Sequence, residues 1–259
     1  MRGFIIALQF LTRLPMPTPL RTIVVDDAAF ARSMRWFPAV GLVIGAAVAG
    51  AAWAGALVDH RLGTLAALIV WVGVTGALHL DGLADLADAS GAAHKDRERL
   101  LAVLADPHVG SFGVVAIVLQ LLSKLVLLDM LVDARAFGAL VLVPFAARIG
   151  PLVWTWWLMP LHQGLAARFR SAIGAIDLAG WAAALAAAAW FTPALLVTPL
   201  LVLWWGRHVR RALGGISGDG HGAGRPDGQF DAQSGGVHAG QPLQVEGQHD
   251  KGQHLRREG

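Results

Sequence analysis

The residues Thr64–Leu80, TLAALIVWVGVTGALHL, run directly into Asp81–Asp88, DGLADLAD. The first stretch is nearly as long as the roughly 20 apolar residues that cross a hydrocarbon core. The second places Asp81, Asp85 and Asp88 at its edge, where carboxylates are costly and mark function. On a helix the three are spaced i, i+4 and i+7, so they share one face. Unpaired, they would repel each other, and a divalent cation removes that conflict. Oxygen-only ligands favour Mg²⁺ or Mn²⁺ over zinc. Mg²⁺ takes one or two carboxylates and fills its other positions with water and substrate phosphate, so the run suggests phosphoryl chemistry. The bland alternative is a solvated helix end whose acids pair with Lys95 or Arg97.

Composition agrees with a membrane setting. The 259 residues are 55% hydrophobic and 15% charged, with a net charge of +3, and the mean hydropathy is +0.55. An ordinary soluble domain is less apolar. No cysteine is present, which excludes disulfides, zinc–thiolate sites and a catalytic thiol. The chain has ten tryptophans and no tyrosine. Trp154, Trp156, Trp157, Trp204 and Trp205 stand near the ends of apolar runs and fit a membrane-interface belt, or else a core. No cleavable signal peptide is evident. Phe4–Leu11 reads as an interfacial or half-buried helix ended by Pro15 and Pro17.

The expected fold is all-α, a polytopic integral membrane bundle of about six transmembrane helices. The candidate spans are Pro38–Val58, Thr64–Leu80, Val109–Val132, Phe137–Met159 and the long run Leu178–Trp205. The second is short and borrows residues after it. The last breaks at Thr192-Pro193 into two passes. Gly41, Gly45, Ala49, Gly50 and Gly55 let the first span pack closely. With the last run paired, Arg13, Arg21, Arg32, Arg35, Lys95, Arg97, Arg99, Arg168, Arg170, Arg207, Arg210 and Arg211 fall on one side. Only Arg61 and Arg135 oppose them. By the positive-inside rule the basic side, and the aspartates with it, is cytoplasmic. Residues 1–223 form the membrane domain. Residues 224–259 are Gly-, His-, Gln- and Asp-rich and are expected to be disordered.

Other residues add to the candidate site. His79 is a general base, a partner of a metal ligand or a phosphate donor, or simply a polar boundary residue. Asp106 is a further metal ligand or the base for an attacking hydroxyl, or a capping residue at a turn. Gly110 and Gly113 open the next span, where exposed amides suit a phosphate. Lys124 and Arg148 lie inside apolar spans and are functional candidates that suit an anion, with snorkelling or ion pairing as the alternative. Asp219, in Gly214–Ala223, is a weaker candidate for metal or phosphate.

With these pieces together the chain resembles the adenosylcobinamide-GDP ribazoletransferase, or cobalamin synthase, family. The matching features are Ala7-Leu8-Gln9-Phe10-Leu11-Thr12-Arg13-Leu14-Pro15, Phe37-Pro38 with Gly41 and Gly45, Leu78–Asp85 with Ala87-Asp88, Asp106–Gly113, and Gly214–Asp219. The resemblance implies a bacterial inner-membrane enzyme with its active site facing the cytoplasm. It implies transfer of the adenosylcobinamide phosphate of adenosylcobinamide-GDP to α-ribazole or α-ribazole 5′-phosphate, with release of GMP and a requirement for Mg²⁺. Asp81, Asp85 and Asp88 would hold Mg²⁺ on the diphosphate, and Lys124 and Arg148 would offset its charge. Asp106 or His79 would orient or deprotonate the ribazole 5′-hydroxyl. The implied partners are the two substrates, the lipid bilayer and other cobalamin-assembly enzymes, with no nucleic acid. The chain departs from the family at Gly224-Arg225. Members continue with an apolar C-terminal span, whereas here the composition shifts as in an out-of-frame reading or a truncated variant.

Two rivals compete. A CDP-alcohol phosphotransferase also uses spaced aspartates, but its Asp-Gly-x-x-Ala-Arg run is broken by Asp85. A transporter or channel predicts mid-span acids on several helices, whereas the clear mid-span charges here are Lys124 and Arg148.

Overall fold

The computed structural model describes residues 2–15, 17, 26–92, 108–157 and 172–213. All of them fall within one unit, Met1–Pro226. Every regular element among them is helical. In chain order these are α1 (Arg2–Leu11), α2 (Asp27–Ser33), α3 (Phe37–Ala56), α4 (His60–Thr75), α5 (Leu78–Ala92) and α6 (Ser111–Asp133). They are followed by α7 (Phe137–Ala147), α8 (Ile149–Trp157), α9 (Ala175–Phe191) and α10 (Thr198–Leu213).

Three segments are long and apolar enough to cross a membrane: Asp27–Ala56, Ser111–Asp133 and Phe137–Trp157. The bent pair His60–Thr75 and Leu78–Gly91 makes a fourth. The long C-terminal run is two helices, as its Thr192-Pro193 break predicts. α9 has 17 residues and α10 has 16, with a 3₁₀ turn at Pro193–Val197 between them. Among the described residues this gives three or four spans against the expected six; α9 is a shorter apolar helix, whereas α10, which carries Arg207 and Arg210, is not among the apolar ones.

Small residues in α3 set the packing. A Cβ on Gly41 would sit 2.5 Å from the Pro144 carbonyl oxygen, and one on Gly45 would sit 2.7 Å from Val141 Cα, so both glycines seat α7 against α3. A Cβ on Gly55 would lie 2.7 Å from Gly63 Cα, which brings α4 equally close. In lipid, where burial of apolar surface gains little, such backbone proximity is a main source of helix association. Around this layer Met34, Val40, Ile44, Val48, Leu140 and Leu152 are fully buried. α1 covers one end, with Phe10 stacked on Phe37 and edge-on to Phe30.

The tryptophans divide between the two expected roles. Trp53, Trp156, Trp190 and Trp204 are exposed, as interface residues would be. Trp154 donates to the Val202 carbonyl at 2.8 Å and ties α8 to α10. Trp181 donates to the Arg35 carbonyl at 2.8 Å and ties α9 to the 3₁₀ turn before α3. Trp71 is buried.

The second span departs from expectation in a way that shapes the site. It does not continue smoothly into the aspartates. α4 stops at Thr75, Gly76 and Ala77 both take φ of 59°, and α5 leaves at 81° to α4. Left-handed backbone is the ordinary helix stop for glycine and is costly for alanine. The N-terminal segment locks this corner. Arg13 N–H donates to the Val74 carbonyl at 2.8 Å. The Arg13 stem also crosses the space where a Gly76 Cβ would stand, with its Cγ 2.6 Å from that point. Irregular backbone at membrane depth is stable where it is buried in protein or lines a polar cavity.

Candidate active site

Two groups of polar residues surround the α4–α5 corner. The first is the aspartate stripe. Asp81, Asp85 and Asp88 all lie on α5, so the expected helix is there. Asp81 is exposed, Asp85 is half-buried and Asp88 is buried. Their surroundings differ because α5 packs against the start of α6. Asp88 accepts from Gly110 N–H at 2.8 Å and from Gly113 N–H at 2.9 Å. It therefore caps α6 from another helix, and Gly110 brings no side chain of its own to do so.

The amides of Gly110 and Gly113, expected to suit a phosphate, here donate to the chain's own Asp88 carboxylate. The three aspartates therefore differ in their surroundings. Among the described residues no three His, Asp or Glu side chains converge as a metal site. Asp81 and Asp85 remain one turn apart on the more open side. Asp106 and Asp219 lie outside the described residues.

The second group is basic. Lys124 Nζ reaches from α6 to within 3.0 Å of His79 Nε2, at the start of α5. The same ammonium lies over the Trp71 ring, 4.6 Å from its centroid. Arg148 is close enough for its charge to act on both His79 and Lys124. It occupies the junction of α7 and α8, just after a helix that contains Pro144. Lys124 thus stands between Trp71 near the end of α4 and His79 at the start of α5. The three basic residues were each legible as candidates in the sequence. Trp71 was not, since a tryptophan inside an apolar run carries no signal of what its ring faces.

The cobalamin-5-phosphate synthase family model matches residues 3–225. The chain belongs to the cobalamin-5-phosphate synthase family. It is 98% identical over 224 residues to the adenosylcobinamide-GDP ribazoletransferase of Novosphingobium aromaticivorans, covering 86% of this chain and 91% of that one. It is 51% identical over 228 residues to the protein of the same name from Thiobacillus denitrificans, covering 86% and 90%. With the one from Laribacter hongkongensis it shares 53% over 230 residues, covering 86% and 91%. No solved structure matches the chain. The cobalamin-5-phosphate synthase match takes in every described residue of the α4–α5 corner and both polar groups around it.

Proposed function

We infer that this chain is an adenosylcobinamide-GDP ribazoletransferase, acting in the final step of cobalamin assembly. The observation that carries this reading is the family match over residues 3–225. The acceptor's hydroxyl oxygen forms a new bond to the phosphorus that carries the cobinamide. The bond from that phosphorus to GMP breaks, GMP leaves as a phosphate anion, and the hydroxyl proton passes to a base. A product that keeps a 5′-phosphate has to be joined through another hydroxyl of the ribose.

Mg²⁺ fits the donors on α5. Asp81 and Asp85 offer oxygen ligands alone, one turn apart, and two carboxylates are what Mg²⁺ commonly takes from a protein. Bound there, the ion would supply charge neutralisation at the diphosphate. Asp88 fixes the height of α5 against α6 and so the position of the other two carboxylates. Asp106 is the candidate to accept the hydroxyl proton; His79, 3.0 Å from Lys124, lies on the other face of α5 from the aspartates. For such a transfer most of the rate comes from positioning and charge. The setting is the bacterial inner membrane, with the α5 aspartates facing the cytoplasm. Basic residues clustered on one side support that orientation.

The test is direct. Purified full-length protein in detergent, given adenosylcobinamide-GDP, α-ribazole and Mg²⁺, should release GMP and form a cobalamin. Absence of both products with intact protein rejects the reading, and a transporter or a CDP-alcohol phosphotransferase would give neither.

A further inference from the structure

Lys124 and Arg148 carry charge at membrane depth that the described part of the chain does not balance. His60 Nε2 lies 3.8 Å from Asp129, between the start of α4 and the end of α6. Among the described residues neither Lys124 nor Arg148 has a carboxylate partner.

Four carbonyls near the broken end of α4 already accept bonds from the chain itself. Trp71 accepts from Thr75 Oγ1 at 2.8 Å. Gly73 accepts from Gly76 N–H at 3.2 Å, Val72 from Ala77 N–H at 3.2 Å, and Val74 from Arg13 N–H at 2.8 Å. Lys124 and Arg148 are both half-buried, and ionisable groups inside membrane segments are costly and mark a pathway or a ligand. Lys124 is nevertheless held in one place, by the Trp71 ring beneath it and by His79 beside it.

Helix geometry separates this cluster from the aspartates. At 3.6 residues per turn, Asp81, Asp85 and Asp88 span an arc of about 60°, and His79 lies roughly 150° from its centre. Two chemically different anion sites therefore flank α5, one made of carboxylates that need a metal and one made of cations that do not. The reaction read above has two anions of the matching kinds. One is the donor diphosphate. The other is the phosphate monoester of a 5′-phosphorylated acceptor.

We propose that the helix break at Gly76-Ala77 holds a metal-independent site for a phosphate monoester, formed by Lys124, Arg148 and His79, and that its occupant is the acceptor's 5′-phosphate. The identity of the occupant rests on the ribazoletransferase reading, but the anion site does not. Trp71 acts through Lys124 as a positioning residue.

The first test uses full-length protein in detergent, treated with EDTA, with inorganic phosphate as probe and ³¹P line broadening as readout. Wild type should show saturable binding. Lys124→Gln and Arg148→Gln should weaken it at least tenfold, while Lys124→Arg stays within a few-fold and so separates lost charge from lost fold. Trp71→Leu should weaken binding and Trp71→Phe should restore most of it. Absence of saturable binding, or equal binding in the glutamine variants, overturns the site.

The second test compares acceptors. Lys124→Gln should raise KM for α-ribazole 5′-phosphate at least tenfold more than KM for α-ribazole. An equal rise for both, or a main effect on KM for adenosylcobinamide-GDP, overturns the assignment of the occupant. If wild type releases no GMP with either acceptor, the ribazoletransferase reading fails and the assignment of the acceptor falls with it, while the phosphate titration still decides the site.

Discussion

Asp88 and Gly113 are 25 residues apart in sequence and joined by a 2.9 Å hydrogen bond from the Gly113 amide to the buried carboxylate. With the second bond from Gly110, this contact makes Asp88 the cap of α6 and the pin between α5 and α6. Hydrogen bonds to a charged acceptor contribute about 1.5–3 kcal/mol, and loss of a helix cap costs about 1 kcal/mol. Asp88→Ala should therefore lower stability by about 2 kcal/mol, read as a fall in the thermal midpoint of detergent-solubilised protein by circular dichroism. An unchanged midpoint would contradict the capping role.

The close approach of α3 to α7 gives a paired prediction. A Cβ at Gly41 would stand 2.5 Å from the Pro144 carbonyl oxygen, whereas one at Gly50 meets nothing within 4 Å. Overpacking of a tight contact costs about 1–3 kcal/mol. Gly41→Ala should destabilise by that order. Gly50→Ala should be neutral or stabilise by up to about 1 kcal/mol through helix propensity. Thermal unfolding of the two variants side by side checks the contrast.

The α4–α5 corner gives a third. Ala77 has φ of 59°, a conformation that costs a non-glycine residue about 1–2 kcal/mol. Ala77→Gly should remove much of that strain and raise the thermal midpoint. The cost falls on the other side at Gly76, where φ is also 59° and the Arg13 stem fills the space of a Cβ. Gly76→Ala should destabilise, and it should reduce turnover as well, because the corner sets where His79 and Asp81 stand.

Much of this was legible in the residues. Apolar length located the spans, and Thr192-Pro193 located the break between α9 and α10. The i, i+4, i+7 spacing put Asp81, Asp85 and Asp88 on one helix. Gly41, Gly45 and Gly55 announced close packing. The corner was less visible, because a glycine and an alanine inside an apolar run read as continuation until the left-handed backbone is seen. The capping role of Asp88 was hidden for another reason. Its partners lie in a different helix, and a carboxylate suited to a metal is equally suited to two amides. Lys124, His79 and Arg148 each stood out as polar residues in apolar surroundings. Their convergence depends on how α5, α6 and α7 pack, which no local pattern encodes.

The distinction within the stripe yields the most direct measurement. Asp85 is proposed to hold Mg²⁺, whereas Asp88 bonds the amides of Gly110 and Gly113. GMP release from adenosylcobinamide-GDP and α-ribazole should be followed against Mg²⁺ concentration for wild type and Asp85→Asn at matched folded protein. Wild type should turn over with Mg²⁺ and stop with EDTA, and Asp85→Asn should lose Mg²⁺-dependent release altogether. Near-normal turnover by Asp85→Asn would contradict the assignment of the α5 carboxylates to the reaction.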